Sequence, residues 1–302
     1  MIWFQALFLL LASCSLEDGR DACYWKDTVR FRYEHEGRDC FTEFIHDTRW
    51  FLFDKEGAFM TEMEHLSCCP KRVDISSLGA DTYTLICIGN LSDYASLEGY
   101  LDEGLDAFRL RVDNFSKKGK LFANGDRIYW GECRFTVVPG NSNRFFGEMS
   151  NVHCVLRVRA EWELTPEFPE GYRFSLDGIG TGMELHGFRA DSIGVHAFPP
   201  VGDFSGGMTE KVMLRRFALE TELITLRWDK EHIPFLQLWH DDEPVTKAIN
   251  LREIFLQWGW IPERSPAQEY AIHLLIRADG SVIVHQGIET DVGDWENGGM
   301  IG

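Results

Sequence analysis

Cys14 is the residue whose neighbours most clearly predict a chemical modification. It follows Leu11, Ala12 and Ser13 at the end of an apolar run that begins at Ile2, and acidic residues come soon after it. A run this short cannot cross a bilayer, which takes about 20 residues, but it is typical of a secretory signal peptide. Small residues before a cysteine are what bacterial lipoprotein signal peptidase accepts. We therefore expect cleavage after Ser13 and acyl chains on the sulfur and the new α-amino group of Cys14.

Acyl chains on Cys14 would hold the protein on a membrane while the rest of it stays in water. Each buried CH₂ contributes about 0.8 kcal/mol, so one chain binds reversibly and two or more bind firmly. The alternative is an ordinary cleaved signal peptide in which this cysteine has no role. Residues 1–5 contain no Lys or Arg, which departs from the usual start of a signal peptide.

A short acidic segment follows the cysteine. Residues 15–22 read as a flexible polar tether. The first four of them also resemble the acidic export signal that sends lipoproteins of Bacteroidota through the outer membrane to the cell surface. This candidate surface-export signal consists of Ser15, Leu16, Glu17 and Asp18.

Two glycine-rich segments resemble catalytic or phosphate-binding loops but lack their defining residues. Residues 202–207 (GDFSGG) are similar to the loop around a serine-protease nucleophile, but Phe204 would displace the amides that form an oxyanion hole. Residues 178–182 (GIGTG) lack the GKS or GKT ending of a phosphate loop. We interpret the first as a surface loop and the second as a hairpin turn that needs positive φ.

The acidic, histidine and cysteine residues do not form a recognisable catalytic or metal site. The acidic pairs Glu62/Glu64 and Asp241/Asp242 could serve a glycosidase only if two carboxylates faced each other. The histidines form neither HxxxH nor HExxH, and no two cysteine pairs have zinc-ligand spacing. We predict no enzyme activity, no metal and no cofactor.

Composition limits the classes of protein that remain. The chain has 302 residues, which predicts two domains, and 44% of them are hydrophobic, which predicts packed cores. Its net charge of -18 would repel nucleic acid and anionic membranes, so we expect no nucleic-acid partner. If Cys14 carries lipid, seven of the eight cysteines remain, and an odd number cannot all form internal disulfides.

Alternating apolar and polar residues predict strands in most of the chain. Residues 151–164 give the clearest pattern, with apolar residues at even positions and Arg or Glu at four odd ones. Residues 278–281 (ADGS) predict a hairpin turn between the last two strands. The other predicted strands are residues 28–33, 50–53, 83–88, 134–138, 172–176, 223–228, 270–277 and 282–288.

Few segments predict helix, and the strand pattern favours β-sandwiches. We expect helices over 94–101 and 251–257, the second with Asn250 as its N-cap. Many strands separated by short turns are typical of antiparallel sandwiches. Residues 165–171, with two prolines, are the best linker. The predicted organisation is a signal peptide (1–13), a lipidated tether (14–22), an N-terminal β-sandwich (23–166) and a C-terminal β-sandwich (167–302).

Several short motifs occur in a consistent order along the chain. After Cys14 and Cys23 come an aromatic strand (29–33), GRDCF (37–41), LFD with Gly57 and a strand at 81–89. Then follow RFFG (144–147), a C-terminal helix and hairpin, and DWENGG (294–299). In order and spacing these motifs resemble the FimB-type family of fimbrillin anchors and minor fimbrial subunits of Bacteroidota. The chain departs from that family at Phe146, where the family's LFHG-like motif usually has histidine.

The resemblance implies an all-β protein with two tandem transthyretin-like sandwiches, held on the outer membrane by lipid on Cys14 and facing the cell exterior. It also implies a role in attaching or assembling fimbriae. The implied partners are fimbrial (fimbrillin) subunits, joined by strand complementation, in which a sheet takes up an extended strand from a neighbouring subunit. The alternative function is a surface glycan-binding lipoprotein, in which Trp239, Trp258 or Trp260 would stack on sugar rings.

Overall fold

The computed structural model describes residues 26–67, 69–91, 95–112, 126–166, 171–185, 189–197 and 217–287. These residues are mainly β-strand, so the all-β prediction is confirmed. They form two compact units, each described by itself below. Unit 1 contains described residues up to 91 together with 100–106 and 129–150, and unit 2 contains the others. None of the helices in the described ranges is both long and apolar enough to span a membrane.

Unit 1 contains ten strands, eight of them in one sheet. The strands are β1 (Thr28–Arg32), β2 (Glu34–His35), β3 (Arg38–Asp39), β4 (Thr48–Phe53), β5 (Phe59–Met63), β6 (His65–Leu66), β7 (Cys69–Asp74), β8 (Thr82–Gly89), β11 (Tyr129–Thr136) and β12 (Arg144–Asn151). The order in the sheet is β5-β4-β8-β11-β12-β1-β7-β6, and β2 pairs with β3 outside it. A short helix, α1 (Phe41–Phe44), precedes β4.

The sheet of unit 1 curls around its own core. One cluster contains buried side chains from β1, β4, β7, β8, β11 and β12, which are Val29, Phe31, Trp50, Leu52, Val73, Leu85, Cys87, Cys133, Phe135 and Met149. The two outermost strands, β5 and β6, are separated in the chain by Glu64 alone. The first and last strands of the sheet are therefore brought together, and the strand pattern predicted for residues 28–33 and 50–53 is confirmed.

Unit 2 contains two sheets and one longer helix. Its strands are β9 (Ala95–Glu98), β10 (Arg109–Val112), β13 (His153–Trp162), β14 (Tyr172–Glu184), β15 (Arg189–Ala197), β16 (Phe217–Leu226), β17 (Phe235–His240), β18 (Glu243–Pro244), β19 (Ile249–Asn250), β20 (Glu269–Ile276) and β21 (Val282–Gln286). The helix is α2 (Leu251–Trp258). Single 3₁₀ turns occur at Leu105–Ala107 in the β9–β10 connection and at Pro262–Arg264 after α2.

The two sheets of unit 2 share one hydrophobic core. The larger sheet has the order β18-β17-β14-β10-β9, with β15 also on β14 and β19 on β17, and the smaller one has the order β16-β13-β20-β21. Side chains from both sheets and from α2 pack in one cluster, including Leu156, Phe174, Leu238, Phe255 and Leu274. This is the packing of a β-sandwich.

Strand β13 shows how the alternating pattern works in the folded chain. The predicted inner face is confirmed over β13, because Cys154, Leu156 and Ala160 are fully buried, whereas Leu164, predicted on the same face, lies beyond the strand and is 65% exposed. On the other face, Arg157 contacts Glu222 at 3.4 Å and Glu269 at 3.3 Å. These ion pairs cross between neighbouring strands, so the charged face of β13 is itself half-buried. β13 pairs with β16 and β20, which places residues 151–166 with unit 2, whereas the predicted domain boundary at 166/167 stays a prediction.

The helix over 251–257 is confirmed, and its boundaries have clear causes. The side chain of Asn250 accepts a hydrogen bond from the Arg252 amide, as expected of an N-cap. Gly259 ends the helix with φ of 70°, a conformation that glycine adopts without strain.

The helix predicted over 94–101 is wrong. Residues 95–98 form β9, which pairs with β10 in register Leu97↔Leu110. Gly99 has φ of 80°, and a Cβ on it would lie 2.0 Å from the Ala107 carbonyl oxygen. The chain turns back here in a hairpin, because only glycine allows the two segments to approach so closely.

The interpretation of residues 178–182 as a hairpin turn is also wrong. They lie inside β14, a continuous strand of 13 residues. Gly178 does have positive φ, 89°, and the register with β15 shifts between Asp177 and Ile179. The glycines therefore accommodate a β-bulge rather than a turn.

A close aromatic–glycine contact organises the core of unit 1. Phe31 lies opposite Gly147 in the parallel register of β1 and β12. A Cβ on Gly147 would lie 2.4 Å from the Phe31 ring, and one on Gly131 would lie 2.6 Å from it. The ring also meets Trp50 edge to face at 5.3 Å between centroids. The glycines leave the space that the ring occupies.

We predict that Gly147→Ala destabilises unit 1 by about 2 kcal/mol, because the added methyl group overpacks the core. Thermal unfolding followed by calorimetry measures this loss. Gly79→Ala is the control, since a Cβ there has only an ordinary contact at 3.9 Å and should change stability by less than about 0.5 kcal/mol. Adding Phe31→Leu to Gly147→Ala should recover part of the loss, and strictly additive losses would contradict this packing.

His153 links the stability of unit 2 to pH. Its ring is buried, and Nδ1–H donates to the Ile128 carbonyl oxygen at 2.9 Å. Burial lowers the pKa of His153 to about 4, because the charged ring would lose its hydration. The unfolded chain binds this proton near pH 6.5, whereas the folded chain binds it only near pH 4. The stability that neutral His153 contributes to unit 2 is therefore fully present above pH 6.5 and is lost as the pH falls toward 4.

We expect unit 2 to lose about 3 kcal/mol of unfolding free energy between pH 6.5 and 4 through His153. His153→Asn, which keeps a donor near the Nδ1 position, should remove this loss in urea unfolding followed over that pH range. Glu161 provides an internal reference. The His273 ring, 3.4 Å from its carboxylate, and the Arg159 guanidinium lower the pKa of Glu161 to about 2, so the stability that Glu161 contributes is lost only below pH 4.5. If the unfolding free energy of the variant falls with decreasing pH as steeply as that of the unchanged protein, another group is responsible.

Candidate functional site

The predicted lipidation site, Cys14, and the candidate export signal, Ser15 to Asp18, lie outside the described residues. They therefore stay predictions from the sequence. The GDFSGG segment at 202–207 also lies outside the described ranges.

The described cysteines are free thiols, buried at four positions and partly buried at Cys69. Cys40, Cys69, Cys87, Cys133 and Cys154 form no disulfide. Burial raises the pKa of Cys133 to about 11 and raises the pKa of Cys87 and Cys154 well above that of a free thiol. Thiols that stay protonated are poor nucleophiles and poor metal ligands. Within the described ranges, no group of three His, Cys, Asp or Glu side chains could hold a metal ion.

The acidic pairs weighed for glycosidase chemistry lie on the surface. Glu62 binds Arg49 at 2.6 Å on the strand pair β4–β5, and Glu64 is exposed between β5 and β6. Asp242 is fully exposed and lies 3.6 Å from Arg173. Surface carboxylates of this kind have roles in solubility and weak ion pairing.

The three tryptophans weighed as sugar platforms are partly buried in local packing. The Arg173 guanidinium lies over the Trp239 ring at 5.0 Å, and the Trp239 indole N–H donates to the Ser175 hydroxyl at 2.8 Å. Trp258 and Trp260 meet edge to face at 5.0 Å, and Trp260 packs on Phe255. Arg173 covers the Trp239 ring, and the Trp258 and Trp260 rings are nearly perpendicular to each other. None of these arrangements therefore provides two coplanar rings on which a sugar could stack.

The sheet edges differ in how well they are protected against pairing with another chain. β9 has four residues and ends in Glu98, β5 carries Glu62, and β16 carries Glu220 and Glu222. Charges and short length are the usual means of blocking edge pairing. β21, with five residues, lacks the charges, since its sequence VIVHQ contains no Asp, Glu, Lys, Arg or proline.

β21 has one bonded edge and one outward edge. It pairs with β20, and no other described strand pairs with it. The Arg277 amide donates to the Ser281 carbonyl and the Gly287 amide donates to the Ala271 carbonyl. Because antiparallel bonding alternates along a strand, odd-numbered residues of β21 bond to β20. The N–H and C=O groups of Val282, Val284 and Gln286 therefore point away from β20.

The side chains of β21 also alternate between two environments. Val282 and Val284 are partly buried and pack against the core of unit 2. Ile283, opposite Leu275, is half-buried on the other face, and His285 there is exposed. An incoming strand would find outward backbone donors and acceptors beside apolar side chains, which are the requirements for strand addition. The sequence predicted this strand, but its position at an edge depends on pairings between distant segments.

Comparison with known proteins agrees with this fold. A search of curated proteins finds no match. Among solved structures, a candidate adhesin from Bacteroides thetaiotaomicron is similar with a TM-score of 0.66 and 15% identity, over 85% of this chain and 95% of that one. A candidate adhesin from Bacteroides ovatus is similar with a TM-score of 0.64 and 12% identity, over 87% and 94%. The fimbrial anchor protein Mfa2 from Porphyromonas gingivalis is similar with a TM-score of 0.56 and 15% identity, over 85% and 94%.

These structural similarities show a shared fold. The model of one protein family, described as fimbrillin-A associated anchor proteins Mfa1 and Mfa2, matches residues 21–297. The resemblance noted from the sequence motifs is therefore confirmed over nearly the whole chain, and this protein belongs to the family of fimbrillin-A associated anchor proteins.

Proposed function

We propose that this protein is an outer-membrane lipoprotein that anchors or assembles fimbriae at the cell surface. Lipid on Cys14 attaches it to the membrane, and a fimbrial subunit joins it by strand complementation. The observation that carries the proposal is the family match over residues 21–297. The name of one structural relative, a fimbrial anchor protein, agrees with it. The role is structural and needs no catalysis.

The sequence before residue 26 supplies the membrane attachment in this proposal. Cys14 follows an apolar segment and two small residues, and the acidic Ser15–Asp18 segment is suited to export to the outer face of the outer membrane. Two or more acyl chains bind a membrane firmly enough to resist dissociation. The net charge of -18 would not attract an anionic membrane surface, so the attachment depends on the lipid.

The outward edge of β21 is the place where we expect strand complementation. Its outward backbone groups, those of Val282, Val284 and Gln286, pair with no strand in the described ranges, and its sequence has no Asp, Glu, Lys or Arg to repel an incoming strand. A subunit strand added there would extend the smaller sheet of unit 2 from four strands to five.

Cys14→Ala should release fimbriae from the cell into the medium, because the anchor would lose its lipid. The measurement is the ratio of cell-bound to shed fimbriae, and we expect it to fall at least about tenfold when membrane binding depends on acyl chains. Cys23→Ala is the matched control, since Cys23 is close in sequence but does not follow a lipoprotein cleavage motif.

The same experiment distinguishes the proposal from the glycan-binding alternative. If Cys14→Ala releases the protein from the membrane while fimbriae stay bound to cells, the protein is a lipoprotein with another role. A glycan array would then be the next measurement. If neither the protein nor the fimbriae are released, lipidation at Cys14 is wrong.

Val284→Pro should abolish binding of fimbriae at the β21 edge while the protein stays folded. Proline removes the outward N–H of residue 284, and an edge strand tolerates this because its bonds to β20 are kept. Val284→Thr keeps that N–H and the shape of the side chain, so it is the control. We expect at least about a tenfold difference in affinity for purified fimbriae of the producing bacterium, measured by biolayer interferometry. Equal binding by the two variants would exclude this edge.

A further inference from the structure

We infer that the parallel pair β1–β12 is a mechanical clamp that carries tension between the N-terminal tether and the rest of the protein. The source of the tension rests on the proposed function, because a lipid at Cys14 and a fimbria bound elsewhere would pull the chain from both sides. The clamp itself follows from the topology of unit 1. It is a property of strand direction, register and side-chain packing.

β1 lies in the interior of its sheet, although it is the first described strand of the chain. It pairs with β12 in parallel over five positions, from Thr28↔Arg144 to Arg32↔Glu148. On its other side it pairs with β7 in antiparallel register from Thr28↔Asp74 to Arg30↔Arg72. The strand next to the tether therefore has partners on both edges and cannot be removed like an edge strand.

The points where force would enter and leave unit 1 lie at opposite ends of the β1–β12 pair. The tether joins β1 before Thr28, which is paired with the first residue of β12. β12 ends at Asn151, and the chain continues after one residue into β13 of unit 2. The chain also passes between unit 1 and unit 2 after β8 and before β11. Both connections lie at the end of the sheet where β12 ends, because Gly89 is paired with Tyr129 at the start of β11 and the Val152 amide donates to the Ile128 carbonyl.

Tension applied at these two points loads the pair in shear. Parallel strands pulled at opposite ends slide along each other, so the hydrogen bonds between them must break together. Strands pulled at the same end separate one bond at a time. The force that breaks a structure is set by its unfolding barrier under load and not by its equilibrium stability. The same hydrogen bonds can therefore resist much more force when they are loaded in shear than when they are opened one at a time.

A polar cluster closes the end of the clamp that would be loaded first. The Asp27 carboxylate accepts hydrogen bonds from the Asn143 backbone amide at 3.1 Å and from the Asn143 side-chain amide at 2.9 Å. The Thr28 amide donates to the Asn143 carbonyl at 2.9 Å, and the Ile75 amide donates to the Asp27 carbonyl at 2.9 Å. Asn143 is 7% exposed, so water has little access to the Asn143 side of these bonds, while Asp27 is partly exposed.

The Phe31 ring opposes sliding at the other end of the strand. It occupies the space above Gly147, and the neighbouring positions on that face of β12 are Phe145 and Met149. A slide of two residues, the smallest that keeps the inner face of β1 inside, would drive the ring against one of these side chains. An ion pair between Arg32 and Glu148 joins the last pair of the register.

The test compares two pulling directions in one protein. Click-chemistry handles replace Cys14 and either Ser150 or Asn141 in the mature chain, and optical tweezers measure the rupture force. Ser150 and Asn141 are both exposed, one near the C-terminal end of β12 and one just before its N-terminal end. The first pair of handles loads the clamp in shear, and the second opens it bond by bond. We expect the rupture force to be about threefold higher in shear, because five register pairs share the load.

Equal forces in the two directions would overturn the inference, since thermodynamic stability is nearly the same for both handle pairs. Asn143→Ala provides a second measurement and should lower the shear force. Asn90→Ala is its control, because Asn90 is also a hydrogen-bonding centre of unit 1, with bonds to Phe44 and His46, but lies away from the clamp. If both variants lower the shear force equally at matched melting temperature, the Asp27–Asn143 cluster has no special mechanical role and the inference fails.

The outcome is independent of the test of the proposed function. A threefold difference in force together with fimbriae that stay bound in Cys14→Ala would keep the clamp and exclude the anchor role. Equal forces together with shed fimbriae would keep the anchor role and exclude the clamp.

Discussion

The fit of the Phe31 ring against Gly131 and Gly147 is the contact on which the arrangement of unit 1 depends. Each glycine lacks the Cβ that would collide with the ring, so β11 and β12 can both approach it. Since Phe31 is opposite Gly147, this fit also selects one register for β1, and a shift of one residue would turn its apolar side chains outward. Val29 is buried on the same face as a result. One aromatic side chain thus specifies the position of the strand nearest the tether.

Sequence reasoning succeeded where the determinants of structure are local. The alternation over 151–164 predicted β13, and Asn250 with the following apolar spacing predicted α2. It failed over 95–98, where Ala, Leu and Glu favour helix but pairing with β10 decides the conformation. It also failed at Gly178, because positive φ is compatible with either a turn or a bulge, and only the partner strand distinguishes them. Both errors concern interactions between segments that the chain brings together on folding.

The same distinction applies to the functional features. Lipidation of Cys14 can be predicted from sequence because signal processing reads a short linear motif in an extended chain. The edge of β21 could not, because an edge is defined by the absence of a neighbour, and that requires the whole pairing order. The composition of β21 was visible as an uncharged VIVHQ segment, although a buried central strand has the same composition. Trp239 was weighed as a sugar platform, but Arg173 on the adjacent strand covers its ring.

The interior position of β1 has a consequence for the order in which the chain folds. Its parallel partner β12 begins 116 residues later in the chain. Asp27 and Asn143, which are joined by hydrogen bonds, have the same sequence separation. Contacts of such high contact order form slowly, since a long loop must close before they contribute. β1 is therefore synthesised early but can take its place only after β12 has been made. In the proposed lipoprotein, the enzymes that cleave and acylate the N-terminus would therefore meet it before this domain has finished folding.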